Sequence, residues 1–190
     1  MTRLRYLTIY EVPKFSIVNT LNASLSLREM ELSPSTSWSN VSFNGTVGAM
    51  LLQCCISLRQ LELRGMEDWE CLPDQLQNLT SLEILELSDF GMEALPEWFG
   101  NLESLKQLYL KDCKKLRHLP SKQAVQRLSK LTYLQIEKCP LLLKQKRSND
   151  DDDDDVPQIV DSEWPKISHI PEVEVDGRTI SSDLIRQGGH

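Results

Sequence analysis

The chain has 190 residues, of which 40% are hydrophobic, and a formal net charge of −7 at pH 7. No apolar run approaches the roughly 18 residues that a transmembrane helix needs, and a strongly basic face for nucleic acid is not indicated. The six aspartates of Asp150–Asp155 supply most of the charge and leave the other residues at −1. The composition therefore predicts one near-neutral domain or one segment of a repeat protein.

A pattern of apolar positions, L-x-x-L-x-L, recurs along most of the chain. Its six copies begin at Leu4, Leu27, Leu58, Leu82, Leu105 and Leu131. The last two apolar positions of each copy are two residues apart, which is the spacing of a strand with one buried face. With these intervals between its copies, the pattern is the signature of leucine-rich repeats. It predicts an α/β solenoid with a curved parallel sheet of about six strands.

A Leu-Pro pair follows three of the predicted strands, at Leu72-Pro73, Leu95-Pro96 and Leu119-Pro120. Proline fixes φ, which suits the start of the arm that returns to the next strand. Apolar residues three apart, such as Phe99 and Leu102, then predict a short helix or 3-10 turn. Because the first copy begins at Leu4 with no cap before it, we expect a fragment of a longer protein, or a first strand that pairs with a partner.

Three regions are predicted: a solenoid over residues 1–145, an acidic disordered linker over 146–161, and a C-terminal cap and tail over 162–190. Like charges in Asp150–Asp155 repel one another, which predicts the disorder. In the tail, Val173 and Val175 alternate with glutamates and precede Asp176-Gly177, which predicts a short strand that enters a turn. We expect this tail to cover the open end of the last repeat.

The sequence contains no motif for catalysis, cofactor binding or metal binding. It lacks G-x-x-x-x-G-K-[ST], H-E-x-x-H and G-x-S-x-G, and its three histidines lie far apart. We therefore predict no enzyme activity, no cofactor and no metal. Five cysteines without framework spacing favour a reducing compartment, and Glu11, Pro13 and Lys14 interrupt any signal-peptide core.

Cys113 and Cys139 occupy equivalent places in neighbouring units, so they are expected to lie about one strand spacing, ~5 Å, apart. A disulfide or half of a zinc site would be possible at that distance. A buried turn cysteine in each unit is the interpretation that the repeat pattern favours.

The outward strand positions contain an acidic column of Glu31, Glu62 and Glu86. Two carboxylates ~5 Å apart repel by roughly 0.8 kcal/mol in bulk water, so this column must be hydrated or paired. Arg59 and Arg64 are the expected partners.

Outward aromatic residues beside that column make the concave face a candidate protein interface, with an ordinary hydrated face as the alternative. The predicted partner-binding residues are Gln60, Glu62, Arg64, Ile84, Glu86, Ser88, Gln107, Tyr109, Lys111, Tyr133, Gln135 and Glu137.

Two segments carry a resemblance to a known family. The spacing Leu131-x-x-Leu134-x-Ile136-x-x-Cys139-Pro140-x-Leu142 resembles the final repeat of plant intracellular nucleotide-binding (NB-ARC) leucine-rich-repeat disease-resistance proteins. The segment Trp164-Pro165-Lys166-Ile167-x-His169-Ile170-Pro171, followed by Val175-Asp176-Gly177, is similar to the tail of these receptors in grasses.

The resemblance implies a cytoplasmic protein-recognition module of plant innate immunity. Such a module senses pathogen effectors or host proteins and restrains a nucleotide-binding domain, in cis or in trans. Because the phosphate-binding loop is absent from these 190 residues, the chain by itself is not expected to bind ATP. The alternative is a stand-alone leucine-rich-repeat scaffold for intracellular signalling.

Overall fold

The computed structural model describes residues 28–33, 39, 44–45, 47–49, 51–52, 56–143 and 159–180, and the backbone alone of residues 6–9. Of the predicted acidic linker, residues 146–158 lie outside the described part of the chain, and so do residues 181–190 of the predicted tail.

The described strands form one sheet of eight, paired in chain order. The first six follow the six copies of the sequence pattern: β1 (Tyr6–Ile9), β2 (Glu29–Leu32), β3 (Gln60–Arg64), β4 (Ile84–Ser88), β5 (Gln107–Lys111) and β6 (Tyr133–Glu137). The tail adds β7 (Glu172–Val175), parallel to β6, and β8 (Arg178–Ile180), antiparallel to β7. The predicted α/β solenoid is confirmed, and its sheet extends two strands beyond the six repeats.

Short helical turns return the chain from one strand to the next. They are the 3-10 turns η1 (Asp74–Asn78), η2 (Glu97–Asn101) and η3 (Pro140–Leu142), and the helices α1 (Lys122–Arg127) and α2 (Trp164–Ile167). As predicted, Pro73 and Pro96 stand immediately before η1 and η2. At α1 the helix is capped by Ser121, whose Oγ accepts a hydrogen bond from the backbone N–H of Ala124 at 3.2 Å.

The core is a ladder of apolar side chains that face the returning arms. Leu63, Leu87, Leu110, Ile136 and Val175 lie next to one another in register on five consecutive strands. Each is fully buried. Burying one such side chain stabilises a fold by roughly 1.5–3 kcal/mol, so the ladder explains why neighbouring units stack.

Three of the turns after the strands use a left-handed residue that is not glycine. Asp89, Asp112 and Lys138 have φ values of 59°, 52° and 52°. This conformation is uncommon outside glycine and is better tolerated by aspartate than by lysine. It turns the chain inward so that the residue that follows, Phe90, Cys113 or Cys139, is buried.

The tail attaches to the last repeat through backbone hydrogen bonds. The Val160 N–H donates to the Leu142 carbonyl at 2.9 Å, and the Asp176 N–H donates to the Ile136 carbonyl at 2.9 Å. Ile167 and Ile170 are buried in the core. The predicted strand and turn are present as β7 and the Asp176–Gly177 turn. No helix in the described part of the chain is long and apolar enough to cross a membrane.

Candidate functional site

The twelve predicted partner-binding residues all lie on the sheet face opposite the core, here called the open face. They alternate along β3–β6 with the buried leucines, and all are half-buried except Arg64, which is exposed. Strand pairing aligns them in columns, one of which runs Glu31, Glu62, Glu86, Tyr109. A column of this kind presents a continuous stripe of side chains to solvent or to a partner.

A groove of about 270 Å³ opens over the acidic part of this face. Its charged lining residues are Glu31, Glu62, Glu86, Asp89, Asp112, Arg64 and Lys111. The carboxylates therefore outnumber the cations by five to two, which gives the groove a negative potential.

The ion pairs of the open face differ from those predicted. Lys111 Nζ donates to Glu86 Oε1 at 2.8 Å, so the expectation that Arg59 or Arg64 would pair with this carboxylate is wrong. Arg64 Nε instead contacts Asp89 Oδ2 at 2.8 Å, in the left-handed turn after β4. The flexible arm of Lys111 reaches diagonally from β5 to β4, a contact that a column-by-column comparison of strands misses.

Glu62 occupies the most unfavourable place in the acidic column. Its carboxylate accepts no hydrogen bond from any described residue, since Lys111 and Arg64 point to other carboxylates. Burial, then the charges of Glu86 and Glu31, raise the pKa of Glu62, and Lys111 and Arg64 only partly oppose that rise. Ionised Glu62 therefore costs stability near neutral pH.

The substitution Glu62→Gln is expected to raise the free energy of unfolding near neutral pH by a few tenths to about 1 kcal/mol. Because folding raises the pKa of Glu62, the cost of its charge is present above that pKa and vanishes as the pH falls. The gain should therefore disappear at about pH 3.5, where glutamate is protonated in both states. Urea unfolding followed by circular dichroism at both pH values checks this.

Glu83→Gln is the matched control. The hydrogen bond from Lys106 Nζ, at 2.6 Å, lowers the pKa of Glu83, so this variant should lose a little stability near neutral pH. A Glu62→Gln variant that also lost stability there would mean that the Glu62 carboxylate is favourably paired.

Two tyrosines stand at the centre of the open face. The rings of Tyr109 and Tyr133 are 5.5 Å apart with a 50° angle between their planes. Lys111 Nζ lies 5.4 Å from the centroid of the Tyr109 ring, and the Tyr109 hydroxyl donates to Gln107 Oε1 at 3.0 Å. Held aromatic rings of this kind offer contact area at little entropic cost, which is typical of protein interfaces.

The tail contributes two residues to the open face that sequence reasoning missed. Glu172 and Glu174 of β7 continue the columns of Tyr133 and Gln135. The Tyr133 hydroxyl and Gln135 Nε2 donate to the Glu174 carboxylate at 2.9 and 3.1 Å. Burial, then Glu174, raise the pKa of Tyr133 to about 12. The alternation Glu172-Val173-Glu174-Val175 was the available signal, because it matches the outward and inward positions of the repeat strands.

The two turn cysteines are free and buried. Each thiol donates to the carbonyl two residues earlier at 3.4 Å, Cys113 to Lys111 and Cys139 to Glu137. The interpretation as buried turn cysteines is confirmed, and the disulfide alternative is wrong. Among the described residues, no group of three or more His, Cys, Asp or Glu side chains is placed to hold a metal ion.

Comparisons with known proteins agree with this architecture. Residues 74–139 match the family model described as R13L1/DRL21 leucine-rich repeats. Over 50 residues the chain is 48% identical to "Probable disease resistance protein At4g27220" of Arabidopsis thaliana, a match that covers 26% of this chain and 5% of that protein. Over 49 residues it is 49% identical to "Disease resistance-like protein DSC1" of the same plant, covering 26% of this chain and 4% of that protein. The solenoid is that of a leucine-rich-repeat region, and over the matched residues it is similar to plant disease-resistance proteins, of whose length the chain spans only a small part.

Proposed function

We propose that this leucine-rich-repeat region is the protein-recognition part of a plant defence receptor and that its open face binds the partner. The partner is a pathogen effector or a host protein that bears a basic surface. Recognition acts by binding and by restraint of a nucleotide-binding domain, in cis or in trans, rather than by catalysis.

The observation that carries the proposal is the concentration of negative charge on one face. The described strand positions of the open face hold seven carboxylates and two cations. The carboxylates are those of Glu29, Glu31, Glu62, Glu86, Glu137, Glu172 and Glu174, and the cations are Arg64 and Lys111. The other described residues hold 12 cations and 13 carboxylates, a net charge of only −1, so the negative charge of the described chain is concentrated on the open face.

The fold does not require this arrangement. The buried leucine ladder specifies the solenoid, whereas like charges in neighbouring strands oppose it. A one-sign field with aromatic residues at its centre is suited to a partner of opposite charge, because complementary potentials speed association and exclude like-charged proteins. The uncompensated carboxylate of Glu62 would gain most from an incoming lysine or arginine.

A cytoplasmic location is part of the proposal. Cys113 and Cys139 are both free thiols that lie in equivalent turns of adjacent units. Free cysteines in a repeat protein suit a reducing compartment, where disulfides are rare.

The test is a double charge reversal on the open face, Glu62→Lys with Glu86→Lys. Tagged wild-type and variant chains are expressed in leaf tissue, and the co-purifying proteins are quantified by mass spectrometry. The matched control is Glu93→Lys with Glu103→Lys, which makes the same change of charge at exposed positions off the open face.

The proposal expects a set of basic proteins that the wild type and the control retain and the open-face variant loses by about tenfold or more. Thermal melts verify that both variants are folded. A folded open-face variant with an unchanged set of co-purifying proteins would refute the open face as the binding surface.

A further inference from the structure

The tail returns to the solenoid at two separate places. One is the sixth unit, where β7 pairs with β6 and the Glu172 N–H donates to the Thr132 carbonyl at 3.1 Å. The other is the fifth unit, where Glu163 reaches the loop at His118 and Leu119, 44 residues earlier in the chain. The second attachment passes over the sixth unit, so strand pairing alone does not account for it.

At the second place a charged side chain is almost completely enclosed. Glu163 is 1% exposed, and it is the one buried charged residue in the described part of the chain. Its Oε2 accepts from the Leu119 N–H at 2.8 Å and from Lys166 Nζ at 2.8 Å. Its Oε1 accepts from Lys166 Nζ at 3.0 Å and lies 3.3 Å from His118 Nδ1.

Lys166 completes the connection from the other side. Its Nζ donates to the Leu119 carbonyl at 3.0 Å, so both backbone groups of Leu119 are bound by the tail. The Ser162 hydroxyl is the remaining contact, 3.5 Å from Glu163 Oε1. Glu163, Lys166 and the backbone of Leu119 thus form one closed set of charge-assisted hydrogen bonds, here called the Glu163 lock.

A buried carboxylate of this kind favours one docked position of the tail over the others, rather than simply adding stability. Desolvating a carboxylate is costly unless every lone pair finds a donor, and an apolar residue would fill the space at less cost. In solution the undocked glutamate is hydrated and pays no such cost. If the tail docked one residue out of register, β7 would turn its side chains to the wrong face and Glu163 would be buried without the Leu119 N–H.

We propose that Glu163 is a positioning residue, which docks the tail in one register and so sets the place of β7 at the end of the open face. The docked tail brings Glu174 to Tyr133 and Gln135, which both donate to its carboxylate. With the lock open, the open face would end at β6 and those two side chains would lose their partner. The consequence for partner binding rests on the function proposed above, whereas the docking itself does not.

Hydrogen exchange measured by mass spectrometry on the full chain tests the lock. Glu163→Gln keeps the shape of the side chain and removes its charge. We expect exchange in residues 172–180 and at the Leu119 amide to become about tenfold faster or more, while exchange in β4 and β5 stays unchanged. Glu172→Gln is the matched control, because it removes the same charge from the tail at an exposed position.

A pH series gives a second readout that simple loss of packing would not move. Burial raises the pKa of the Glu163 carboxyl, but hydrogen bonds from Lys166, Leu119 and His118 outweigh it and hold this pKa below its ordinary value of 4.5. A lowered pKa in the docked state means that the lock stabilises above pH 4.5 and is lost as the pH falls through the lowered value. Lys166 also faces a second carboxylate, that of Glu97, which accepts a hydrogen bond from the Ser121 hydroxyl. Exchange in residues 172–180, corrected for its intrinsic pH dependence, should therefore rise more on acidification in the wild type than in Glu163→Gln, because the other carboxylates of the tail are present in both chains.

Exchange in Glu163→Gln within about twofold of the wild type would overturn the proposal. If Glu163→Gln unfolds the whole chain, Lys166→Gln is the second variant: it removes the bonds from Lys166 to Glu163 and to the Leu119 carbonyl and leaves the bond from the Leu119 N–H to Glu163 in place. A loss of protection confined to residues 172–180 then supports the lock, and global loss refutes it. None of these measurements uses a partner, so the lock and the proposed recognition function can fail independently.

Discussion

Replacing Leu110 by alanine is expected to lower the free energy of unfolding by about 2–5 kcal/mol. Leu110 is fully buried and lies in register between Leu87 and Ile136. In a repeat array each unit is stabilised by its neighbours. The cavity left by the shorter side chain therefore weakens the packing against both neighbouring units. The measurement is the midpoint of urea unfolding, followed by circular dichroism.

Ser88→Ala is the control for Leu110→Ala. Ser88 lies on the open face of the adjacent strand, and its substitution should change the stability by no more than about 0.5 kcal/mol. If Leu110→Ala cost less than about 1 kcal/mol, the solenoid would have to collapse around the cavity far more readily than close-packed cores do.

The six repeat strands were predictable because one pattern carries two kinds of information. In the copy that begins at Leu58, the spacing of Leu61 and Leu63 indicates a strand with one buried face. The return of the same pattern after each unit indicates which strands stack. The twelve open-face residues followed directly, since they alternate with the buried leucines and each strand takes its place by register.

Contacts that depend on distant parts of the chain could not be predicted in this way. Glu163 stands between Ser162 and Trp164, and no periodic pattern there indicates that it is buried against a loop 44 residues earlier. The pairing of Lys111 with Glu86 depends on the reach of one flexible side chain between strands. Such contacts are decided by the assembled solenoid rather than by any periodic signal.

The tail is the intermediate case. Its strand and turn were predicted from Val173, Val175 and Asp176-Gly177, but the tail has no L-x-x-L-x-L copy to align it with the repeats. Its register in the sheet was therefore not predictable, and neither was the position of Glu174 on the open face. The Glu163 lock is proposed to select this register. The buried carboxylate would therefore supply the alignment that the tail lacks a repeat pattern to provide.

The substitution Gly91→Ala is expected to destabilise the chain by roughly 1–3 kcal/mol or more, although it adds only one methyl group. A Cβ atom at Gly91 would overlap the carbonyl oxygen of Glu67 and lie 2.6 Å from its carbonyl carbon. These are backbone atoms, and the Gly91 N–H is bound to the Trp69 carbonyl at 2.9 Å, so neither segment can move without breaking this bond.

Gly45 is the matched control, because it is exposed and nothing lies within 4 Å of a Cβ built there. Gly45→Ala should be neutral or stabilise by up to about 1 kcal/mol, because the backbone at Gly45 is helical and alanine has the higher helix propensity. Thermal and urea unfolding of the two variants give the comparison. Equal stability of Gly91→Ala and the wild type would mean that the loops of the third and fourth units are not in this close contact.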